Sequence, residues 1–302
     1  MRKTVLLVAS MAVALLLSGM VALVTTLAVA TVVSAQDTQF VRAPRDAFVF
    51  NCDFRRTAPI DPIVYPGKYG ASHRHVFFGG KVTKDSTYQQ LRQAGTTCED
   101  SARGVQTKDH KTGYWIPALR RNGEEIPIIR TDAKFYYGVP EGAPTADLQP
   151  LPRGVKVIAG SSQSTGPQYG IVDWGCGKST SGGGTDGKKR GYLAPVDCDP
   201  DSSNPNVNVT VHFPSCWTGA KDSSDHRSHA AYPVGYPQDP AAWRCPEGYP
   251  IRTPRLDLTV RWRTSNADNL RLSSGSIYSM HADLFEASNQ AEFQRLIDTE
   301  IP

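Results

Sequence analysis

Seven histidines stand in this chain of 302 residues, and five of them fall into three short motifs that each hold a second histidine or an aspartate. The first motif is Ser72-His73-Arg74-His75. On a strand His73 and His75 project from one face, while Arg74 points the other way. Two imidazoles on one face can hold a metal ion or a substrate group without backbone distortion. The second motif runs from Asp222 through Asp225, His226 and Arg227 to His229. His226 and His229 share the face of one helical turn, and Asp222 and Asp225 precede them at the same interval. A carboxylate beside an imidazole fixes its tautomer and raises its basicity, whether the ring serves as base or ligand. Arg227 could neutralise a substrate carboxylate or phosphate. The third motif is His281-Ala282-Asp283, again two side chains on one strand face.

Each motif also has a plain structural reading. The first pair could hydrogen-bond to backbone at a strand end. The second could be a salt-bridged turn capped by Asp222, with Arg227 on Asp225. His212 lies opposite a valine face, and His110, in Lys108-Asp109-His110-Lys111, reads as an ordinary surface residue. If the three motifs converge, two chemistries follow. In one, three or four of His73, His75, His226, His229, His281 and Asp283 bind a divalent metal ion that polarises substrate or activates water. In the other, a histidine is the base, Tyr232 the acid, and Arg227 neutralises a uronate-like carboxylate. There is no HExxH and no GxSxG, so a zincin protease or a nucleophile-elbow hydrolase is not indicated.

The elements that must position these residues are mostly strands. β-branched and aromatic runs at 46–54, 111–119, 126–138, 154–160, 169–177, 206–214 and 256–263 are punctuated by Gly, Pro, Asn and Asp. In the 206–214 run Val207, Val209, Val211 and Phe213 alternate with Asn208, Thr210 and His212, the pattern of a half-buried strand. Helices are few: 86–95, with Ser86 as N-cap, and 287–298, with Ala291, Leu296 and Ile297 as its apolar stripe. No βαβ alternation appears, so the expectation is a mainly β fold. It is a disulfide-stapled β-sandwich, jelly-roll-like, one domain with long loops and few short helices. A Gly-rich stretch at 179–191 reads as a solvated loop.

The compartment is read from the N-terminus and the cysteines. Arg2 and Lys3 precede an apolar run to Val33, and small residues end at Ala35. Residues 1–35 are therefore expected to be a signal peptide, or an N-terminal anchor if the run over 5–33 is not cleaved. Residues 36–302 are the single exported domain. Its six cysteines fit three disulfides in a secreted or extracellular setting, and near-neighbour pairing gives Cys52–Cys98, Cys176–Cys198 and Cys216–Cys245. Without Arg2 and Lys3 the 33 basic residues become 31, against 29 acidic ones. That balance, with no basic stripe, does not indicate a nucleic-acid partner.

Several blocks occur in an order that resembles a known family. They are the run from Asp61 to Gly80, Gly113–Leu119, the FPSCW…DHRSH…YP block over Phe213–Pro233, CPEGYP after it, and His281–Phe285. The chain is similar to the secreted domain-of-unknown-function family numbered 1996. The resemblance carries no reaction. It implies a polysaccharide or cell-wall setting, because the domain sometimes accompanies carbohydrate-binding cell-wall modules. After Phe285 the chain reads Glu-Ala-Ser-Asn-Gln, where the family leads one to expect a Gly-Trp pair. The expectation is an exported hydrolase or lyase of polysaccharide or cell-wall polymer built on His73, His75, Asp225, His226, Arg227, His229, Tyr232, His281 and Asp283. The alternative is a non-catalytic surface, carbohydrate-binding or structural module whose His/Asp cluster is a hydrogen-bond network.

Overall fold

In the computed structural model two antiparallel sheets face each other across a shared apolar core. The described residues are 38–39, 44–100, 109–131, 133–177 and 191–301. The expected signal or anchor segment lies outside them, as does the Gly-rich loop apart from Gly191. The five-stranded sheet has the order Lys156–Gly160, His281–Phe285, Gly113–Pro117, His75–Gly79, Phe54–Ala58. The eight-stranded sheet has at its centre Val172–Cys176, Val207–His212, Arg255–Arg261, Lys134–Pro140 and Pro44–Cys52. Two three-stranded sheets accompany them. The mainly β sandwich read from the alternation is the architecture found.

The alternation explains the layers. Val76, Phe78, Tyr114, Ile116, Val157, Ala159, Ala282 and Leu284 turn inward and join Phe135, Tyr137, Val209, Val211, Leu256 and Leu258 in one core. Their neighbours Phe77, Trp115, Ile158 and Phe285 point the other way. That outer face is not wet, because the segment after Ala58 supplies Ile60 and Ile63, and the segment after Gly79 supplies Val82 and Leu91, to a second, smaller core. A fully buried Phe or Leu contributes roughly 1.5–3 kcal/mol relative to exposure, so this cover is held firmly.

Two expectations change in detail. The Val207–His212 strand is buried on both faces, not half-buried. Asn208, Thr210 and His212 find polar partners there: the Asn208 amide donates to Gly177 O at 2.9 Å and Thr210 Oγ1 lies 2.7 Å from Thr259 Oγ1. The first helix is Tyr88–Gln93 and its cap is Thr87, not Ser86. Thr87 and Gln90 form a reciprocal capping box. The last helix, Gln290–Glu300, is capped by Asn289 and buries Phe293, Leu296 and Ile297, while Ala291 is exposed. Phe293 packs edge-on against Phe48 at 5.1 Å and Tyr137 at 4.9 Å.

All three disulfides follow the near-neighbour pairing, Cys52–Cys98, Cys176–Cys198 and Cys216–Cys245. They indicate a secreted or extracellular protein. Among the described residues no helix is long and apolar enough to cross a membrane.

Candidate functional site: a buried histidine trio

His75 and His281 are the first residues of their strands. Both strands begin at the same end of the five-stranded sheet, with Pro117 on the strand between them. Strand alternation then places His75 and Phe77 on the outer face, and likewise His281, Asp283 and Phe285. His73 precedes its strand and closes the group. The ring centroids lie 4.2 Å (His73–His75), 5.1 Å (His73–His281) and 5.5 Å (His75–His281) apart. One ligating atom from each lies within 4.8 Å of the others.

The tautomers follow from the partners. His75 Nδ1 is 2.9 Å from Ile60 O, and His281 Nδ1 is 2.9 Å from Ser279 O. A carbonyl only accepts, so each Nδ1 carries the proton and donates. Each neutral ring then aims the lone pair of Nε2 inward, and these two atoms are 3.3 Å apart. A hydrogen bond between them would need one ring to be an imidazolium. Burial opposes that: it lowers the His75 pKa well below the ordinary value, and His281 to about 3. Burial also lowers His73 to about 4, and its Nε2 is buried without a hydrogen-bond partner. Three neutral imidazoles thus converge on one point. A tetrahedral ion with nitrogen ligands at about 2.0–2.1 Å sets those nitrogens about 3.3 Å apart, and carbonyl-held Nδ1 protons are the usual outer support of such ligands. The donor set fits a divalent transition ion such as zinc or copper.

Asp283 lies beside the trio, with Oδ2 3.8 Å from His281 Nε2. Both its carboxyl oxygens are buried without a hydrogen-bond partner. Its pKa is raised well above the ordinary value by burial first and then by Asp61, with Arg227 opposing. A buried carboxyl with no partner is costly, and a nearby cation would relieve it. Asp61 was not read as a site residue. It is 4% exposed, and its Oδ1 accepts from Ile63 N and Val64 N at 2.9 and 3.1 Å. The Asp61-Pro62 pair was the signal for such a turn.

The second motif does not join the trio. His229 is 2% exposed, and both its nitrogens are engaged, Nε2 donating to Lys156 O at 2.6 Å and Nδ1 lying 2.9 Å from Ser223 Oγ. It is a strut for the loop, so its place in the expected ligand set is withdrawn. His226 has Nδ1 on Asp222 Oδ1 at 2.9 Å, a left-handed backbone with φ 59°, and a side chain 30% exposed. It stands near enough to Asp61 for their charges to interact. Asp225 organises the turn. Its carboxylate accepts from Arg227 N, Ser228 N, Ser228 Oγ and Ser223 Oγ, which hold its pKa well below the usual range. The Arg227 guanidinium does not pair with Asp225 but donates to Gly160 O, and its charge is felt at His281 and Asp283. Gly160 pairs with His281 across the strands. It has φ +77°, and a Cβ there would come within 2.8 Å of Met280 O. The tight turn at Gly160 therefore lets Arg227 and His281 approach each other.

Tyr232 lies elsewhere. Its hydroxyl donates to His212 O at 2.7 Å, and burial raises its pKa far above the ordinary value. It belongs to a buried network on the eight-stranded sheet. There His212 sits between Asp257 Oδ1 (2.7 Å) and Asp173 Oδ2 (3.1 Å), and Arg255 holds both oxygens of Asp257. His110, expected at the surface, is 1% exposed. It stacks on Phe50 at 3.8 Å and its Nε2 lies 2.6 Å from Tyr114 Oη. A polar turn in the sequence concealed that burial. The hydrogen-bond-network reading therefore fits His212, His226 and His229, and it does not fit the trio.

A family model described as "Domain of unknown function (DUF1996)" matches residues 61–287. No curated protein and no solved structure matches the chain.

Proposed function

The chain belongs to the DUF1996 family, and we propose an exported hydrolase acting on polysaccharide or another cell-wall polymer, with the disulfides supporting export and the histidine trio supporting metal-assisted hydrolysis. Its centre is His73, His75 and His281, with Asp283 as the neighbouring carboxyl, holding a divalent metal ion. The observation that carries this reading is the pair of facing Nε2 lone pairs at 3.3 Å, each fixed by a carbonyl on its Nδ1. A bound ion would polarise a glycosidic or ester oxygen and acidify water.

The remaining roles fall to the chain itself. Asp283 supplies negative charge once a cation is near. Arg227, anchored on Gly160 O, faces developing negative charge at the centre. His226, oriented by Asp222 through Nδ1 and close enough to Asp61 for their charges to interact, offers Nε2 as a proton acceptor. Metal-free lyase chemistry is less well supported. The Tyr232 hydroxyl, its expected acid, is held by the His212 carbonyl.

The test is a glycan screen that follows reducing ends and unsaturated-product absorbance, with and without a chelator. Reducing ends that vanish with chelator and in His75→Gln support hydrolysis. Unsaturated products that persist in chelator would replace it with the lyase reading. Binding without any product would favour the non-catalytic module.

A further inference from the structure

Deepening that reading, we infer that the substrate is a neutral glycan chain laid across the histidine trio on exposed tyrosines carried by two flanking loops. Among the described residues the exposed large apolar side chains are Val64, Tyr65, Tyr69, Tyr169 and Val234. Four of these five lie on the loops that leave the two outermost strands of the five-stranded sheet.

The topology puts those loops on either side of the site. The sheet is antiparallel throughout, so Ala58 ends, His75 begins, Pro117 ends, His281 begins and Gly160 ends at one and the same edge. The loop after Ala58 holds His75 through Ile60 O and displays Tyr65 and Tyr69, with Tyr69 70% exposed. The loop after Gly160 displays Tyr169, 62% exposed. Its neighbour Gln168 clamps the approach to His281, donating to Tyr278 O and Met280 O at 2.7 Å each. Four strand spacings separate the two outer strands, about 19 Å, room for several sugar rings in a row. Of the trio, His73 is the partly exposed member; His75 and His281 are buried.

The composition of the loops selects the ligand. A phenol ring is a flat apolar face with a polar tip, suited to the C–H face of a pyranose. From Gly160 to Gly170 the loop reads Gly-Ser-Ser-Gln-Ser-Thr-Gly-Pro-Gln-Tyr-Gly, without one charged residue. Between Pro62 and Ser72 the other loop has Lys68 as its single charge. Neutral hydroxyl and amide donors beside aromatic faces match uncharged sugars. A polyuronate would call for a row of cations, and Arg227, whose charge is felt at His281 and Asp283, already donates to Gly160 O.

The experiment is affinity electrophoresis of the full chain through gels containing a neutral glucan, a neutral mannan or polygalacturonate. It compares wild type with Tyr69→Ala, Tyr169→Ala and the double variant. These exposed positions leave the cores and the trio intact, which thermal melting and metal uptake verify. The expected result is retention by a neutral glycan, weakened at least five-fold by each single substitution and abolished by the pair. Metal uptake, which rests on the trio and not on the tyrosines, would persist. Undiminished retention of the double variant overturns the tyrosine platform and leaves the proposed hydrolase standing. Retention by polygalacturonate alone overturns the neutral-chain assignment. No retention and no turnover on any glycan overturns both.

Discussion

His73, His75 and His281 differ from the other four histidines in what their nitrogens touch. His212 and His229 engage both ring nitrogens with protein groups, and His110 and His226 each hold one on a neighbouring side chain. In the trio His75 and His281 each hold Nδ1 on a carbonyl and turn Nε2 toward the other, and His73 Nε2 is buried without a partner. Among those four, His110 and His212 titrate in opposite directions. Burial lowers His110 to about 3, against about 6.5 in an unfolded chain. Below pH 6.5 the unfolded state therefore binds the extra proton, and stability falls as pH drops from 6.5 toward 3, by about 1.4 kcal/mol per unit across that window. His212 has the opposite sign. Burial opposes its charge, but Asp257 and Asp173 outweigh it and hold its pKa above the ordinary value. Its contribution is full below pH 6.5 and is lost as pH rises through the folded value. Denaturant melts across pH should show a shallower acid slope in His110→Gln than in wild type. An unchanged slope would contradict the burial of a neutral His110.

Which residues would matter was partly legible at this scale. The HxH and HxD spacings placed His75, His281 and Asp283 on strand faces because a period of two is a local property. The DHRSH spacing misled. Its carboxylates and hydroxyls close a turn on themselves, and no local rule says whether an imidazole will face a substrate or the Lys156 carbonyl. Asp61 and the exclusion of Tyr232 depend on contacts between residues far apart in sequence.

At the scale of elements, the site hangs on where strands start. His281 begins its strand opposite Gly160, and a Cβ at 160 would strike Met280 O at 2.8 Å in a backbone with φ +77°. Gly160→Ala is expected to push the start of that strand away. Metal affinity should fall by at least ten-fold, while denaturant stability falls by about 1–3 kcal/mol. Titration calorimetry checks the first figure and chemical melting the second. Equal affinity in the variant would remove Gly160 from the account. The disulfide Cys216–Cys245 spans 29 residues and ties down the loop bearing the DHRSH turn. Replacing both cysteines by alanine is expected to cost about 2–4 kcal/mol, read by the same melts, and to leave metal uptake intact because no trio residue lies in that loop. Most long strands, the two helices and the disulfide pairing were legible because patterning and near-neighbour closure are short-range; His75–Gly79, His281–Phe285 and all but the first residue of Phe54–Ala58 lie outside the expected runs. The full burial of Val207–His212 was not, since the partners of its polar face, Gly177, Thr259, Asp257 and Asp173, lie far from it in sequence.

For the whole molecule, the sandwich core and the three disulfides provide a rigid frame, and the second core beneath the segment after Ala58 fixes Ile60 O against His75. The trio is therefore preorganised, so an ion that binds the folded chain should stabilise it globally. At a free-metal concentration 100 times the dissociation constant the gain is about 2.7 kcal/mol. The most direct test of the central claim is calorimetric titration of zinc or copper into the tag-free, chelator-treated chain, run beside His75→Gln and His281→Gln. The prediction is one ion per chain for wild type, with affinity lowered at least 100-fold in both variants and unchanged in His229→Gln if that variant folds. No uptake by the wild-type chain, or uptake that neither trio substitution diminishes, would contradict it.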